Sequence, residues 1–382
     1  MKNIKYGLYN YNTENIGDEI QSIAARRFLP RIDYYFDRDN IDGTKIDEND
    51  EIKLIMNGWY THKPENWPPK MPNIKPLLIS MFVEQNKNAD SYSADVFSSE
   101  ESINFLNKFA PVGARDESTA DFFKKIGVNS YFSGCVTLTL NADKRVKKQN
   151  FILAVDVSNK IYDKLKRMTN RDIVRLDTFR LSDLTHDEKF RLAEYWLMLY
   201  QSAHMVITPR LHCMLPCLAF ETPVLAISGR DPRRYTGLIE LTNNLTEQEV
   251  LDNNFSCDFE HPKKNPDIYK KLRKSLSERC KEYTGFDSEN SYISHTSPEQ
   301  LINSPSLLNA IGKSVASGFE LDGLKKKFSS LETQFCELQK QNSLLNSRIE
   351  ALIEESKNMG VKISAKHLFS ASKAFIKKKI KS

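Results

Sequence analysis

The sequence predicts an α/β protein built from two Rossmann-like, doubly wound domains, followed by a coiled coil and a basic amphipathic helix. Short apolar runs bounded by turn residues alternate with helical segments, which is typical of buried parallel strands joined by helices. The alternation pauses at the polar segment 141–150 and then begins again. A heptad repeat starts at Leu321, and 382 residues are enough for two domains of roughly 100–200 residues each, with extensions.

The first half of the chain contains the elements of one doubly wound domain. A first strand is predicted at 5–11, and the polar turn NTENIGD then leads into a helix from Gly17 to Leu29. The later elements are strands at 52–57 and 76–83, a helix near 99–109, a strand, turn and helix within 111–127, and a β-rich segment at 129–140. We place this domain at residues 1–145.

The second half repeats the same rhythm and is placed at 146–286. Its predicted strands are 151–158, 172–177, 205–208 and 222–228. Its predicted helices are 159–169, 186–203, 210–221 and the basic segment 266–284, which could pack on either domain. Residues 287–320 are rich in Ser and Asn and are expected to be a loose connector. Because sites in such folds lie at the carboxyl ends of the strands, we expect the active site in the cleft between the domains.

Composition favours a cytoplasmic protein. The N-terminus MKNIKYGLYNY lacks the apolar core of a signal peptide, and no stretch reaches the length of a membrane-spanning helix. The six cysteines contain no C-x-x-C pair, so their spacing suits neither a zinc site nor a disulfide framework. Cys213 and Cys217, four residues apart on a predicted helix, are expected to be a buried packing pair.

The positive charge of the chain is concentrated at its C-terminus. Residues 361–382 contain seven of the 55 lysines and arginines and none of the 50 acidic residues, so the rest of the chain has 48 basic and 50 acidic residues. A nearly neutral body argues against nucleic acid as a partner.

The strongest local signal is the segment 208–212 (TPRLH), which follows the predicted strand 205–208. We expect Thr208 to cap a helix and Pro209 to occupy its first position, where a missing N–H costs nothing. Arg210 and His212 then lie in the first turn, where the helix already favours an anion. A surface arginine and a histidine satisfied in the core are the alternative interpretations, and the residues alone leave the two readings about even.

Two further arginine clusters follow predicted strands. The segment 229–235 (GRDPRRY) contains Arg230, Arg233 and Arg234, and adjacent strands would place it near Arg210; a solvated basic loop is the alternative. The segment 113–118 (GARDES) contains Arg115, whose neighbours Asp116 and Ser118 can cap the next helix.

A fourth polar group surrounds the first strand-to-helix turn. Gly17 permits a tight turn, and Asp18 and Glu19 favour a helix N-terminus electrostatically, which could be their whole role. The functional alternative makes Asp18 a hydrogen-bond acceptor or general base for a sugar hydroxyl.

Taken together, these segments resemble the polysaccharide pyruvyl transferase family. The matching segments, in order along residues 1–285, are 15–18 (NIGD), 113–118 (GARDES), 133–140 (SGCVTLTL) and 207–225 (ITPRLHCMLPCLAFETPVL). Each motif alone is weak, whereas four in order are fairly specific. The resemblance implies a GT-B-like pair of Rossmann-type domains and phosphoenolpyruvate as the donor.

The resemblance also implies roles for individual residues. Arg210 and His212 match the family's Arg-Leu-His motif, which is associated with donor binding and catalysis, and Arg115 matches an arginine expected to approach the donor from the other domain. We assign Arg210 and Arg115 to the anionic groups of the donor and His212 to proton transfer or phosphate stabilisation. Arg230, Arg233 and Arg234 are further candidate donor-binding residues. Asp18 and Asn15 are the candidates on the acceptor side, with Asp18 orienting or deprotonating the acceptor.

The expected reaction moves the enolpyruvyl group of phosphoenolpyruvate onto a sugar of a surface polysaccharide or its lipid-linked precursor, forming a pyruvate ketal. The donor carries a carboxylate and a phosphate, which explains several cationic groups. No cofactor or bound metal is expected, although the residues leave the participation of a divalent metal open. The alternatives are a GT-B glycosyltransferase that uses a nucleotide sugar and a membrane-tethered scaffold without activity.

Residues 321–360 predict a coiled coil. One seam position holds Leu321, Phe328, Phe335, Asn342, Ile349 and Ser356, and the other holds Leu324, Leu331, Leu338, Leu345, Leu352 and Met359. Ten of these twelve residues are apolar, which favours a homodimer over a single helix packed on the body. Leucine at the second position and Asn342 at the first favour parallel strands.

Residues 361–382 predict a basic amphipathic helix at an anionic membrane surface. Apolar residues such as Leu368 and Phe375 share one face, and lysines such as Lys366 and Lys373 occupy the other. A solubilising tail is the alternative. The expected location is therefore cytoplasmic and peripheral at the inner face of the plasma membrane, near lipid-linked acceptors.

Overall fold

The computed structural model describes most of the chain up to residue 316. The described residues are 2–60, 62–89, 92–176, 183–228, 232–252, 257–294 and 297–316, with Ser347 and Ala351. Residues 1–320 form one compact unit and 321–382 form a second. The predicted coiled coil and basic tail lie outside the described residues, except that Ser347 and Ala351 are helical and exposed.

The first sheet has six parallel strands in the order β2-β1-β3-β4-β5-β6. These strands are β1 Asn3–Asn10, β2 Tyr34–Asp37, β3 Asp50–Gly58, β4 Ile74–Met81, β5 Val112–Ala114 and β6 Ser130–Phe132. The helices are α1 Gly17–Arg26, α2 Ala94–Phe97, α3 Glu100–Lys108 and α4 Glu117–Lys125, with 3₁₀ turns at Ile41–Gly43, Pro64–Asn66 and Val136–Thr139. We call this sheet and α1–α4 the first lobe.

The second sheet has five parallel strands in the order β11-β10-β9-β7-β8. Its strands are β7 Phe151–Val155, β8 Asp172–Leu176, β9 Met205–Thr208, β10 Val224–Ser228 and β11 Asn243–Thr246. The helices are α5 Asn159–Met168, α6 His186–Ser202, α7 Leu211–Ala219 and α8 Glu247–Leu251, with 3₁₀ turns at Pro232–Tyr235 and Ile239–Leu241. We call this sheet and α5–α8 the second lobe. The predicted α/β class with parallel sheets is confirmed.

Burial explains why the apolar runs become central strands. All five residues of β7 are buried, as are Ile52, Leu54 and Met56 on β3. Strands covered by helices on both faces bury side chains in both directions, so the continuous apolar pattern gives parallel strands. Cys213 and Cys217 are both fully buried in α7, as the predicted packing pair requires.

Three segments differ from the expectation. Residues 129–140 hold only the short β6 followed by a 3₁₀ turn, in which the Thr139 hydroxyl donates to the Val136 carbonyl. The strand β2 was not predicted because it has only four residues at the sheet edge, and of these only Phe36 is buried.

The prediction of a loose connector at 287–320 was also wrong, because this segment contains helices. It contains α10 Pro298–Ile302 and α11 Pro305–Ala316, which pack on α6. Leu301, Leu307 and Ala310 are buried there, so a few apolar residues among the serines and asparagines are sufficient to dock the segment. The domain boundaries at 145 and 286 stay predictions, since residues 1–320 form one compact unit.

The basic helix predicted at 266–284 is α9 Tyr269–Thr284, and it contacts both lobes. The Arg273 guanidinium donates to the carbonyls of Ala219 and Leu140. The Tyr283 hydroxyl accepts a 2.8 Å hydrogen bond from the Leu54 amide and donates to the Lys75 carbonyl, so it lies between β3 and β4.

Both sheets have the doubly wound strand order in which the chain changes direction between the first and third strands. These switch points lie between β1 and β3 in the first lobe and between β7 and β9 in the second. Ligands of such folds bind beyond the carboxyl ends of the strands at the switch point. No helix among the described residues is both long and apolar enough to cross a membrane.

Candidate functional site

The candidate site is formed by polar residues that follow the four switch-point strands. Asp18 lies in the first turn of α1, which follows β1, and Trp59 comes directly after β3. Asp156 follows β7, and Arg210 follows β9. The two lobes meet here, since the charges of Asp18, Arg115, Arg210 and Arg234 all act on His212.

The turn between β9 and α7 differs slightly from its predicted form. Arg210, rather than Thr208, is the N-cap residue, with extended backbone, and α7 begins at Leu211. The Thr208 hydroxyl accepts a 3.0 Å hydrogen bond from the Arg210 amide, so it closes the turn before the helix. Arg210 therefore leaves the helix end at an angle that directs its side chain toward Asp156.

His212 lies at a kink inside α7. Its backbone angles, φ −80° and ψ 15°, are not helical. Pro216 is four residues further along the helix, where its ring removes the N–H that would bond to the His212 carbonyl and crowds that carbonyl. The sequence R-L-H-x-x-x-P thus aims the imidazole differently from a regular helical side chain.

The imidazole packs against the glycine of the first-lobe turn. A Cβ atom added to Gly17 would lie 2.7 Å from His212 Nδ1, which is closer than real Cβ contacts allow, and 3.1 Å from Asn15 Oδ1, which is a tight contact. The Asn15 side chain accepts a hydrogen bond from the Gly17 amide, and its carbonyl accepts one from Asp18. The structure therefore gives Asn15 a turn-forming role beside His212, and its predicted contact with the acceptor stays a prediction.

The surroundings of His212 keep its imidazole neutral. Burial and then the positive charge of Arg115 lower its pKa to about 3, although Asp18 opposes the shift. The His212 side chain is partly buried, and its Nε2 atom is buried without a hydrogen-bond partner in the described part of the chain.

This shift gives a prediction that does not depend on any substrate. Between pH 6.5 and about 3 the unfolded chain protonates His212 and the folded chain does not. The free energy of unfolding therefore decreases as the pH is lowered through this range. The contribution is about 1 kcal/mol per pH unit below 6.5. We expect His212→Asn to lose less stability than the wild type between pH 6.5 and 4.5 in urea unfolding. Equal slopes would show that the imidazole titrates normally in the folded state.

Arg210 forms a close ion pair across the second-lobe switch point. Its Nε lies 2.6 Å from Oδ2 of Asp156, whose side chain is nearly buried. Asp156 has φ +52°, a left-handed conformation that aspartate tolerates better than most residues. Arg210 is therefore oriented by a carboxylate, with its guanidinium partly exposed.

Arg115 is a deeply buried cation of the site, at 3% exposure. Its guanidinium lies 3.8 Å from the centre of the Phe82 ring, and its Nε is 3.5 Å from Asp116 Oδ2 without forming a hydrogen bond. Its Nε and NH2 atoms have no hydrogen-bond partner among the described residues. Burial lowers the pKa of Arg115 and raises the pKa of Asp116, so each group is incompletely compensated by the other.

Arg234 reaches the first lobe from the 3₁₀ turn Pro232–Tyr235. Its guanidinium lies 5.3 Å from the centre of the Phe82 ring and 5.6 Å from that of Trp59. Its charge acts on both Arg115 and His212. Arg233 on the same turn is exposed, and Arg230 lies outside the described residues. Of the three arginines predicted in 229–235, the structure thus places Arg234 near Arg115 and His212.

Asp18 is held by three side chains. Its Oδ2 accepts a 2.6 Å hydrogen bond from the Thr13 hydroxyl and lies 3.3 Å from Arg38, and its Oδ1 accepts a longer bond from Gln21. Burial alone would raise the pKa of Asp18, but Arg38 and the Thr13 hydroxyl outweigh it and the pKa is lowered. Asp18 is therefore an ionised acceptor of hydrogen bonds at neutral pH.

Several residues of the site were not predicted from the sequence. Arg38 follows the unpredicted β2 and also pairs with Asp39 at 2.9 Å. Trp59 and Phe82 provide the aromatic surface for the arginines, and the His62 ring lies 5.0 Å from Trp59. Asp156 was missed because the predicted strand 151–158 included it, whereas the observed strand ends at Val155.

The described ranges contain no group of three or more His, Cys, Asp and Glu residues that could hold a metal ion. The arrangement instead concentrates positive charge around a neutral imidazole. In this region the charges of Arg115 from the first lobe and of Arg210 and Arg234 from the second all act on His212. Such a region can bind a small anion with more than one charged group.

Comparisons with solved structures return distantly similar chains. A functionally uncharacterised protein of Klebsiella pneumoniae is 15% identical, with a TM-score of 0.39 over 62% of this chain and 86% of its own. S. aureus MnaA in complex with UDP is 11% identical, with a TM-score of 0.37 over 73% and 91%. UDP-GlcNAc 2-epimerase of Methanocaldococcus jannaschii is 9% identical, with a TM-score of 0.38 over 72% and 98%.

No curated protein matches the chain significantly. The sequence model of one family does match, over residues 15–231, which is more than half of the chain. That range begins at the turn before Asp18 and includes Arg115, Arg210 and His212. The chain therefore belongs to the polysaccharide pyruvyl transferase family.

Proposed function

We propose that the protein transfers the enolpyruvyl group of phosphoenolpyruvate to a sugar of a surface polysaccharide or its lipid-linked precursor, forming a pyruvate ketal and releasing phosphate. Membership of the family supports the transfer of pyruvyl groups to a polysaccharide. One observation of the site carries the choice of donor. The buried Arg115 guanidinium has two nitrogens without partners, and it shares the Phe82 ring with Arg234.

Two guanidiniums on one ring repel each other, so an anion between them stabilises both charges. Planar guanidinium groups match the oxygen pairs of carboxylates and phosphates. Arg210 adds a third cation, held by Asp156, at the edge of the same region. A donor with a carboxylate and a phosphate a few bonds apart fits this distribution, with Arg115 and Arg234 on one group and Arg210 near the other.

His212 is assigned to proton transfer. As a neutral imidazole at pH 7 it can accept a proton from an acceptor hydroxyl. A bound donor brings negative charge next to Arg115, which offsets the positive field that lowers the pKa of His212. The protonated form is then accessible during the reaction, so the same group can return a proton.

Asp18 is assigned to orientation of the acceptor. A carboxylate whose pKa is lowered is a weak base but a strong hydrogen-bond acceptor. Its negative charge also stabilises positive charge that develops at the donor carbon. Arg38 and Thr13 fix its position, so the direction of the acceptor hydroxyl is determined by first-lobe residues.

The reaction balances without an added cofactor. The methylene carbon of the donor gains a proton, and the first sugar hydroxyl attacks the oxocarbenium-like carbon while losing its own proton. A second hydroxyl of the same sugar then attacks this carbon and the bond to phosphate breaks. The proton of the second hydroxyl leaves with phosphate, and the pyruvate carbon ends with two bonds to sugar oxygens.

The test is incubation of the full chain with phosphoenolpyruvate and a panel of lipid-linked glycans. We expect stoichiometric phosphate release and a mass gain equal to one pyruvate ketal. Parallel reactions contain nucleotide sugars in place of phosphoenolpyruvate. Glycosyl transfer in those reactions, with no phosphate release from phosphoenolpyruvate on any glycan, would refute the proposal.

We also propose that residues 321–360 dimerise the protein and that residues 361–382 hold it at an anionic membrane. Lysines near an anionic leaflet contribute about 1 kcal/mol each, and a dimer doubles the contacts. Deletion of 361–382 is expected to abolish sedimentation with phosphatidylserine vesicles while leaving turnover of a water-soluble acceptor unchanged. Substitution of four tail lysines by glutamine is the matched control for charge, and equal vesicle binding by all forms would contradict the proposal.

A further inference from the structure

Four consecutive residues of the second lobe, Arg234–Gly237, link the two lobes beside the site, and we call them the clasp. Arg234 lies against Trp59 and Phe82. The Tyr235 hydroxyl donates a 2.8 Å hydrogen bond to the carbonyl of Pro209, in the turn that leads to Arg210 and His212. The clasp thus contacts the aromatic residues of one lobe and the donor turn of the other.

Thr236 binds the beginning of α4 in the first lobe. Its carbonyl accepts a hydrogen bond from the Glu117 amide at 3.2 Å, and its hydroxyl accepts one from the Ser118 amide at 2.9 Å. The first amides of a helix have no partner within the helix, so these bonds satisfy groups that otherwise need water or a ligand. The same hydroxyl donates to the Arg233 carbonyl at 3.1 Å, which closes the turn that carries Arg234.

Gly237 makes the close approach of the two lobes possible. Its φ of +76° is a left-handed conformation that favours glycine. A Cβ atom added to it would lie 2.8 Å from Cγ of Glu117 and 2.9 Å from the Phe132 ring. The clasp therefore fits the first lobe closely at Thr236 and Gly237.

Arg234 needs such support because Arg115 opposes it. Both guanidiniums lie over the Phe82 ring, and the charge of Arg234 lowers the pKa of Arg115. Stacking on aromatic rings offsets part of the repulsion between like charges. The hydrogen bonds of Tyr235 and Thr236 hold the turn that carries Arg234 in place, so that its side chain does not turn toward solvent.

We propose that Tyr235 and Thr236 are positioning residues that hold Arg234 on Trp59 and Phe82 and so complete the donor site across the two lobes. The identity of the donor rests on the proposed function, whereas the positioning of Arg234 does not. Neither residue touches the reacting atoms. Their effect on the reaction passes through Arg234 alone.

Thr236→Val tests the proposal, with Thr242→Val as the matched control. Thr242 also donates its hydroxyl to a carbonyl three residues earlier, that of Ile239, but no hydrogen bond among the described residues joins it to α4. We expect Thr236→Val to raise KM for phosphoenolpyruvate about tenfold with little change in kcat. Thr236→Ser keeps the hydroxyl and is expected to restore KM, and Thr242→Val is expected to leave it unchanged.

A double-mutant cycle separates positioning from a general structural effect. If Thr236 acts through Arg234, then Thr236→Val added to Arg234→Met produces no further rise in KM. A tenfold rise in both backgrounds would overturn the proposal. An unchanged KM for Thr236→Val in the wild-type background would overturn it as well.

Tryptophan fluorescence provides a readout without any substrate. Trp67 and Trp196 are 7% and 4% exposed, whereas Trp59 is partly exposed, so acrylamide quenching reports mainly on Trp59. We expect greater quenching in Thr236→Val and unchanged quenching in Thr242→Val, with Trp59→Phe removing the accessible signal. Equal quenching in both threonine variants overturns the positioning of Arg234. Failure of the wild type to bind phosphoenolpyruvate refutes the donor instead and leaves the quenching result standing.

Discussion

Arg115→Met is expected to lower kcat/KM for phosphoenolpyruvate by about a thousandfold or more. The side chain offers two unpartnered, buried nitrogens, and a charged hydrogen bond in a region of low water content is worth several times its value in solution. A loss of this size corresponds to about 4 kcal/mol of transition-state stabilisation, which is typical for removal of one preorganised donor. Arg115→Lys keeps the positive charge but lacks the planar, forked donor group of the guanidinium. Its kcat/KM is therefore expected to lie between those of the wild type and Arg115→Met.

Steady-state kinetics and a donor-induced rise in Tm measure this effect. Arg175→Met is a matched control, since Arg175 also stacks on an aromatic ring, that of Tyr162, at 5.3 Å on the second sheet. Removal of Arg115 leaves Asp116 buried beside an apolar side chain, so Arg115→Met with Asp116→Asn tests for misfolding. A folded Arg115→Met protein with kcat/KM within tenfold of the wild type would refute the donor site.

His212→Asn is expected to lower kcat by about a thousandfold while changing the donor Kd by less than tenfold. General acid–base groups contribute roughly a hundredfold to ten-thousandfold to enzymatic rates. A neutral imidazole adds little to the attraction of an anion, so donor binding depends mainly on the arginines. Asparagine keeps one nitrogen near the position of Nδ1 beside Gly17 and cannot transfer a proton at neutral pH.

Gly17→Ala tests the orientation of the same imidazole without removing it. The added methyl group would lie 2.7 Å from His212 Nδ1, so the ring must move. We expect an intermediate loss of kcat and an unchanged ability of the protein to bind the donor. Calorimetry of donor binding and single-turnover rates check both variants, and a kcat of His212→Asn within threefold of the wild type would remove His212 from the chemistry.

Much of the fold could be predicted because its strands are continuous apolar runs. The strand Met205–Thr208 and the helix Asn159–Met168 lie within a residue of their predicted ends. The pattern failed where burial is partial. Edge strand β2 and the docked helix α11 each depend on tertiary contacts that local sequence does not record.

The site was predictable to the extent that strand ends are recognisable in the sequence. Arg210 and Arg115 were found because they follow predicted strands, and Asp18 because it lies in the first predicted strand-to-helix turn. Their partners were harder to predict: Arg38 follows an unpredicted strand, and the pairing of Arg210 with Asp156 joins residues 54 positions apart. The conformation of the turn at Pro232–Tyr235 determines which arginine of 229–235 reaches the site. Sequence spacing alone does not distinguish Arg233 from Arg234.

The position of Tyr283 restricts which segments could be exchanged between related proteins of this fold to make functional chimeras. Its hydroxyl joins two strands of the first lobe, although its helix follows the second lobe in the chain. A chimera that takes its N-terminal lobe from one parent and everything after it from another would present a foreign side chain at that junction. Segments 1–145 and 269–284 therefore have to be inherited together, however freely the residues between them diverge.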